Sequence, residues 1–334
     1  MNMAIVKLSS GRSFQTSGES SILDSAFLSQ IALPYSCKTG RCSACKCRVV
    51  AGQTKALIAE IGLSEIEKSK GWILSCVRIA TTDIDLEVED FGDAIVPEAR
   101  TLACRINSLD KLAPDVIKVV LRLPPKGGVD FLPGQYINII GPGGIRRSYS
   151  IANAPRVDNL LEIHIRAVAG GVMSQYWFNQ AAVNDLLRLH GPQGTFFLRN
   201  IAKRDLIFLA TGTGIAPVKA MLEALPSFKV DQHPQSITVI WGARHEHDLY
   251  FDVEALPNIK KYIPVLSRAA AAWQGERGYV QDALLRHMSD LRNGIVYACG
   301  SDAMIDCAKS TLTAAGLPSQ YFYSDAFVCS STLA

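Results

Sequence analysis

The sequence predicts a multidomain chain combining α+β and α/β architecture: a small α+β unit, then an antiparallel β-barrel, then a doubly wound parallel sheet. Three observations carry this. Four of the nine cysteines crowd into residues 37–47. From about residue 100 to 200, short strands alternate with Pro/Gly turns. Beyond about residue 204 the pattern changes to strand–helix alternation. A length of 334 residues suits two or three domains. With 48% hydrophobic and 19% charged residues, the composition excludes disordered, collagen-like and coiled-coil chains. The net charge of +3 is too small to argue for nucleic acid. No apolar run approaches the ~18–20 residues of a membrane helix. Met1–Lys7 lacks the pattern of a signal peptide, so a soluble, cytoplasmic protein is expected.

The first unit, residues 1–92, opens with strands at Ala4–Leu8 and Arg12–Thr16 around a Ser10-Gly11 turn. Helical spacing follows over Ser21–Leu28, with Ser20 or Ser21 as N-cap. A strand at Lys46–Val50, a helix start at Ser64–Glu67 and the alternation Ile84–Glu89 complete it, and Pro97 marks the linker Asp93–Glu98. The second segment, 99–200, has strands at Leu102–Ile106, Val116–Leu123, Gln135–Ile140, Arg147–Ile151 and Leu161–Arg166, with one helix at Val172–Gln180. In the third, 201–334, strands are expected at Asp205–Ala210, Ser236–Gly242, Ile263–Leu266, Ile295–Cys299 and Gln320–Tyr323. Helices are expected at Ala216–Leu225, Gln281–His287 and Asp302–Ala315.

Cysteine chemistry comes next. An odd number of thiols without a signal peptide argues against a disulfide scaffold. Cys37, Cys42 and Cys45 give C-x4-C-x2-C, and Cys76 follows 31 residues after Cys45. That is the spacing of a plant-type [2Fe–2S] site, and the small Gly40, Ser43 and Ala44 let backbone N–H groups approach the sulfurs. The alternatives are a zinc site, which favours paired C-x2-C knuckles, or structural thiols. Cys47 reads as a core-facing strand residue rather than a ligand. Cys104, Cys299, Cys307 and Cys329 are too scattered to form a site.

Two glycine turns suggest nucleotide binding. Leu206–Ala210 runs into Thr211-Gly212-Thr213-Gly214, then a helix, an arrangement that offers backbone N–H groups to a phosphate. A third Gly is missing, and the next strand ends at Arg244 without the acid expected for a ribose. Standing alone, the turn also reads as a mere tight turn. A second glycine at a strand end, Cys299-Gly300, favours the nucleotide reading. In the barrel, Arg146–Ser150 and Ala169–Ser174 offer an Arg for a phosphate, a Tyr for stacking and a Ser for a ring nitrogen, or simply an ordinary rim.

Together these segments resemble the ferredoxin–NADP+-reductase-like flavoproteins that carry an N-terminal plant-type ferredoxin domain. The resemblance rests on Tyr35–Lys38, Arg147–Pro155, Gly191–Phe197, Phe208–Lys219, Tyr297–Ser301 and Ser324–Phe327. It implies a β-grasp ferredoxin domain, an FAD-binding barrel and an NAD(P)H-binding sheet. The implied cofactors are a [2Fe–2S] cluster on Cys37, Cys42, Cys45 and Cys76, FAD, and NADH with appreciable NADPH use. Arg147 would contact the flavin phosphate, Tyr149 would pack on its ring and Ser150 would face its N5 region. His164, Ile165 and Arg166, with Gly171, Val172, Met173 and Ser174, would hold the rest of FAD. Gly212, Thr213 and Gly214 would bind the dinucleotide pyrophosphate, and Arg244 could meet a 2′-phosphate. Cys299 and Gly300 would border the nicotinamide, and Phe327 would shield the flavin. Asp325 stands where several relatives carry Glu.

The implied activity passes electrons from NAD(P)H through FAD and the cluster to a protein acceptor, an oxygenase component or a deoxysugar dehydratase. Flavin fits between a hydride donor and a one-electron acceptor. A monomer is expected. Ser25–Ala59 holds no acid but five cations, Lys38, Arg41, Lys46, Arg48 and Lys55, so the acceptor is expected to dock near a basic cluster loop. Direct reduction of a small molecule, and a non-enzymatic carrier or zinc adaptor, are the rival classes.

Overall fold

The computed structural model describes residues 3–92, 96–125 and 127–327. Part of the expected linker (Asp93, Ala94 and Ile95), Cys329 and the tail after Phe327 lie outside these. The chain divides into two compact units with the boundary between Val96 and Pro97.

In the first unit, β1 (Ala4–Leu8) and β2 (Ser13–Thr16) form a hairpin whose inward residues Val6, Leu8 and Phe14 are buried. Helix α1 (Ile22–Leu28) starts where Ser21 Oγ accepts the Asp24 N–H at 3.0 Å. Beyond the cysteine segment come β3 (Lys46–Ala51), β4 (Thr54–Ala56), α2 (Glu65–Ser69), β5 (Trp72–Leu74), β6 (Arg78–Ala80) and β7 (Ile84–Glu87). A reciprocal Ser64–Glu67 capping box opens α2. The five-stranded sheet runs β2-β1-β7-β3-β5, with β1 and β7 parallel, and α1 packs on it in the β-grasp manner.

The second unit holds two sheets with their own cores. Strands β8 (Arg100–Ala113), β9 (Val116–Arg122), β10 (Tyr136–Ile140), β11 (Arg146–Ser150), β12 (Leu160–Arg166) and β13 (Leu186–Gln193) form an antiparallel sheet. Its order is β11-β10-β13-β8-β9-β12, and the Ile151–Ile163 bridge joins the two edges, closing a barrel. Where one helix was expected, a four-residue α3 (Val172–Gln175) passes into a wider turn at Tyr176–Gln180 that seats Tyr176 and Trp177 in the barrel core.

The remaining elements are β14 (Asp205–Thr211), α4 (Ile215–Ala224), β15 (Ser236–Ala243), β16 (Lys261–Leu266), β17 (Glu276–Arg277), α5 (Val280–His287), β18 (Gly294–Gly300), α6 (Asp302–Ala314) and β19 (Phe322–Ala326). They build a parallel sheet in the order β17-β16-β15-β14-β18-β19. Strands β14, β15 and β18 are buried almost end to end because helices cover both faces, α4 on one and α5 with α6 on the other. The strand order reverses at β14, so the crevice for a ligand opens where β14 and β18 end. Among the described residues, no helix is long and apolar enough to cross a membrane.

Candidate functional site

Cys37, Cys42 and Cys45 lie on the segment between α1 and β3, and Cys76 on the single 3-10 turn Ser75–Val77. The segment doubles back on itself through left-handed Lys38, Gly40 and Ser43. A Cβ on Gly40 would stand 2.9 Å from the Ala59 carbonyl oxygen, and the Gly62 N–H donates to the Gly40 carbonyl at 2.9 Å, so residues 59–62 clamp the loop. The four thiols fall into two pairs. Cys45 Sγ is 3.2 Å from Cys76 Sγ. The Cys37 N–H points at Cys42 Sγ at 3.3 Å, and the Thr39 N–H at Cys37 Sγ at 3.4 Å. The neighbouring Cys42 thiol draws Cys37 down to about 4. Cys45 likewise draws Cys76 below its ordinary value. In each pair one thiol ionises readily, while its partner, Cys42 or Cys45, is pushed above its ordinary range by that contact and by burial. Paired sulfurs with amides aimed at them fit a group holding two irons. Among the described residues, no three His, Cys, Asp or Glu side chains converge as a single ion would require. Cys47 is 0% exposed in the core, where burial pushes its thiol up to about 12.

The basic character expected of this loop is reduced by folding. Lys38 Nζ lies 3.4 Å from Asp24 and over the Tyr35 ring, Lys46 is 2.7 Å from Glu67, and Arg48 is 3.6 Å from Glu87. All three acids lie outside Ser25–Ala59, so three of the five cations are compensated from elsewhere in the unit.

In the barrel, Arg147 and Tyr149 sit half-buried on β11, and the register places Tyr149 opposite Ile137 and Ser150 opposite Tyr136. Trp177 Nε1–H donates to Tyr149 Oη at 2.9 Å, and the rings meet edge to face at 6.1 Å. Burial raises the Tyr149 phenol to about 12, so it stays neutral and its ring is held at a fixed tilt. Gly171 precedes α3; Val172 is exposed, Met173 packs in the core, and Ser174 Oγ accepts the Val168 N–H at 2.9 Å.

The side chains of His164, Ile165 and Arg166, expected to help hold FAD, make contacts within the protein. His164 is bound at both ring nitrogens, by Glu162 at 2.8 Å and Tyr250 at 3.1 Å. Ile165 lies in the barrel core, and Arg166 reaches Asp115 at 3.3 Å and Asp248 at 3.5 Å. The Arg166 guanidinium also lies beside the Gly212 turn, 3.3 Å from where a Cβ on that glycine would stand.

At the sheet, the two glycine turns interlock. A Cβ on Gly214 would lie 2.2 Å from the Cys299 carbonyl oxygen, and one on Gly300 would lie 2.1 Å from Thr211 Oγ1. Gly212 is left-handed at φ +54°, and its carbonyl accepts from Trp241 Nε1 at 2.9 Å. Thr213 completes that turn. The Cys299 thiol is 0% exposed in the core and shifted well above its ordinary range by burial, so its backbone, not its sulfur, borders the crevice. Phe327 is 37% exposed, and its N–H donates to the Gly300 carbonyl at 2.8 Å. Arg244 is exposed just past β15.

Sequence reasoning overlooked Trp177, Glu162, Lys219, Glu223 and Tyr250. The available signal was Lys219, a lone cation inside the apolar run of α4.

A thiol-lined loop, a half-buried tyrosine on a barrel strand and interlocked glycine turns at a parallel sheet's switch point suit an electron-transfer reductase. Residues 6–81 match the model of a 2Fe-2S iron-sulfur cluster binding domain, 103–198 that of an oxidoreductase FAD-binding domain, and 208–310 that of an oxidoreductase NAD-binding domain. The chain is 41% identical over 324 residues to the CDP-6-deoxy-L-threo-D-glycero-4-hexulose-3-dehydrase reductase of Yersinia pestis, covering 96% of each. It is 34% identical to the terephthalate 1,2-dioxygenase reductase component 1 of a Comamonas species, covering 93% of each. The crystal structure of the Amycolatopsis cytochrome P450 reductase GcoB superposes with a TM-score of 0.76 at 26% identity, over 98% of this chain and 100% of that one. The chain therefore belongs to the iron–sulfur flavoprotein reductases, NAD(P)H-dependent oxidoreductases that use FAD and a [2Fe–2S] cluster.

Proposed function

We propose that this reductase takes electrons from NADH and delivers them through the Cys37–Cys76 site to a nucleotide-sugar 3-dehydrase. The observation that carries this is the joint presence of paired thiols in one unit and interlocked nucleotide turns in the other. The likeness to the Yersinia reductase, named for such a dehydrase, favours that acceptor over an oxygenase component. When bound, FAD would supply the chemistry that converts a hydride donor's electron pair into the single electrons a [2Fe–2S] group on Cys37, Cys42, Cys45 and Cys76 could carry.

The chain's own residues bind and orient. Cys37, Cys42, Cys45 and Cys76 ligate the cluster. Tyr149, held by Trp177, would offer its ring for stacking on the flavin, Arg147 would meet the flavin phosphate and Ser150 would face the N5 region. The backbones of 164–166 and 171–174 support the rest of FAD. Gly212, Thr213 and Gly214 present main-chain N–H groups to the dinucleotide pyrophosphate, Cys299 and Gly300 border the nicotinamide, and Phe327 covers the flavin face. Arg244, exposed just past β15, would allow some NADPH use through a charge-assisted contact with the 2′-phosphate. The acceptor docks at the Lys38–Arg41 edge of the cluster loop. In this reading 1–92, 99–200 and 201–334 act as ferredoxin, flavin and nucleotide domains of a cytoplasmic monomer.

Reconstitution tests it. The holoprotein with NADH should support turnover of a purified nucleotide-sugar 3-dehydrase. Turnover with an oxygenase component alone would move the acceptor to that class. Flavin that NADH does not bleach would end the reading altogether.

A further inference from the structure

A buried group of charges joins the barrel to the parallel sheet, and none of the roles above uses it. Lys219 lies in the middle of α4 and is only 9% exposed. Its ammonium donates to Glu223 Oε1 at 2.6 Å and to the Ala152 carbonyl at 3.0 Å, and sits 3.2 Å from Glu162 Oε1. Three donors thus meet three oxygens. Glu223 Oε2 accepts the Ala154 N–H at 3.1 Å. One turn of α4 therefore grips two main-chain groups of the segment that leaves β11, the strand bearing Arg147 and Tyr149.

The contacts continue to the nucleotide turn. Glu162 accepts from His164 Nε2, and His164 Nδ1 accepts from Tyr250 Oη. Burial lowers the His164 pKa, so the ring is neutral and this tautomer is fixed. The Tyr250 ring meets Trp241 edge to face at 5.2 Å, and Trp241 holds the Gly212 carbonyl. An unbroken path runs from Ala152, two residues past Ser150, to Gly212.

We infer that Lys219 is a positioning residue for hydride transfer, locking the nucleotide-binding turn and helix onto the flavin-binding strand so that the two rings meet at a productive distance. The inference rests on the function proposed above. It separates binding from chemistry. Each nucleotide is bound by its own sheet, so loosening the seam leaves affinity nearly intact, whereas a misplacement of ~1 Å costs on the order of 100-fold in rate.

The test uses the holoprotein and its Lys219→Met and Lys219→Arg variants, with single-turnover reduction of the flavin by NADH under anaerobic conditions. Flavin content, NADH affinity and the nicotinamide–flavin charge-transfer absorbance are measured alongside. Lys219→Met should lower the limiting reduction rate by about 10–100-fold and weaken the charge-transfer absorbance, with NADH affinity changed by less than about threefold. Lys219→Arg should recover most of the rate. If Lys219→Met leaves Glu162 and Glu223 too poorly paired to fold, Lys219→Met with Glu162→Gln and Glu223→Gln removes the unpaired charge and takes its place. An unchanged limiting rate, a loss that merely tracks missing flavin, or a change confined to NADH affinity would each overturn the inference. Failure of the wild-type flavin to accept electrons from NADH is a separate result and strikes the functional reading instead.

Discussion

Interlocked turns at the ends of β14 and β18 invite a double-mutant cycle, because the two glycines are hemmed in by different kinds of atom. A Cβ on Gly300 meets Thr211 Oγ1 at 2.1 Å but Thr211 Cβ at only 3.3 Å, and a second neighbour, Met304 Cε at 2.7 Å, is the free end of a flexible side chain. A Cβ on Gly214 meets the carbonyl oxygen and carbon of Cys299, at 2.2 and 2.8 Å. Ordinary contact begins near 3.4 Å, so the two alanines demand shifts of about 1.3 and 1.2 Å. Forcing atoms into a packed site costs about 1–3 kcal/mol. Thr211→Ala removes the hydroxyl in the way of Gly300→Ala and nothing in the way of Gly214→Ala. The first pair should therefore couple favourably by about 1–2 kcal/mol, while Gly214→Ala and Thr211→Ala add within about 0.5 kcal/mol. The assay is urea unfolding of the holoprotein, followed by release of the flavin. Additivity in the Gly300–Thr211 cycle, or equal coupling in both cycles, would refute the interlocked geometry.

Three further outcomes are expected. Replacing Cys37, Cys42, Cys45 or Cys76 by Ser should strip or cripple the cluster while NADH-to-ferricyanide activity survives, whereas Cys47→Ser should keep the cluster; iron and sulfide analysis decides, and the reverse pattern for Cys45 and Cys47 defeats the ligand assignment. Burial acts to raise the Glu162 pKa, yet the His164 N–H and the Lys219 ammonium prevail and hold it at about 2 against an ordinary 4.5. Its contribution to stability is thus complete above pH 4.5 and fades as pH falls toward 2, so the melting temperature should drop more steeply across that window than in Glu162→Gln. Lys38→Glu with Arg41→Glu should slow acceptor reduction at low salt, where the Debye length exceeds ~10 Å, and leave ferricyanide reduction nearly unchanged; insensitivity to both salt and charge reversal would remove the docking surface.

Much of this molecule is legible in its sequence, and the parts that are not share a cause. Cys37, Cys42 and Cys45 are recognisable because local spacing encodes their loop, and Cys76 follows 31 residues later on a separate turn. Strand β13 escapes notice since it starts at exposed Leu186 and runs into Gly191-Pro192, a turn signal overridden by pairing with β10 and β8 on either side. Strands β4, β5 and β6 have three residues each, too few for periodicity to register. The acid-free stretch from Ser25 to Ala59 overstates the positive field, because Asp24, Glu67 and Glu87 arrive by folding. Gly214 and Gly300 are conspicuous for a partial reason: phosphate approach suggests them, but the packing of one turn against the other requires them as well. The Glu162–Lys219–Glu223 group spans two sheets, and no window along the chain contains it.

The parallel pairing of β1 with β7 has a consequence for how the molecule is made. Val6 pairs with Ile84 and Leu8 with Leu86, so the first sheet has all its strands once about ninety residues have left the ribosome. The parallel sheet, by contrast, waits for β19 and for Phe327 to bond Gly300. At about 5–20 residues per second, roughly 10–50 s separate these events. During that interval the nascent chain carries every strand of its first sheet and the complete thiol loop, while the parallel sheet of the second unit is unfinished.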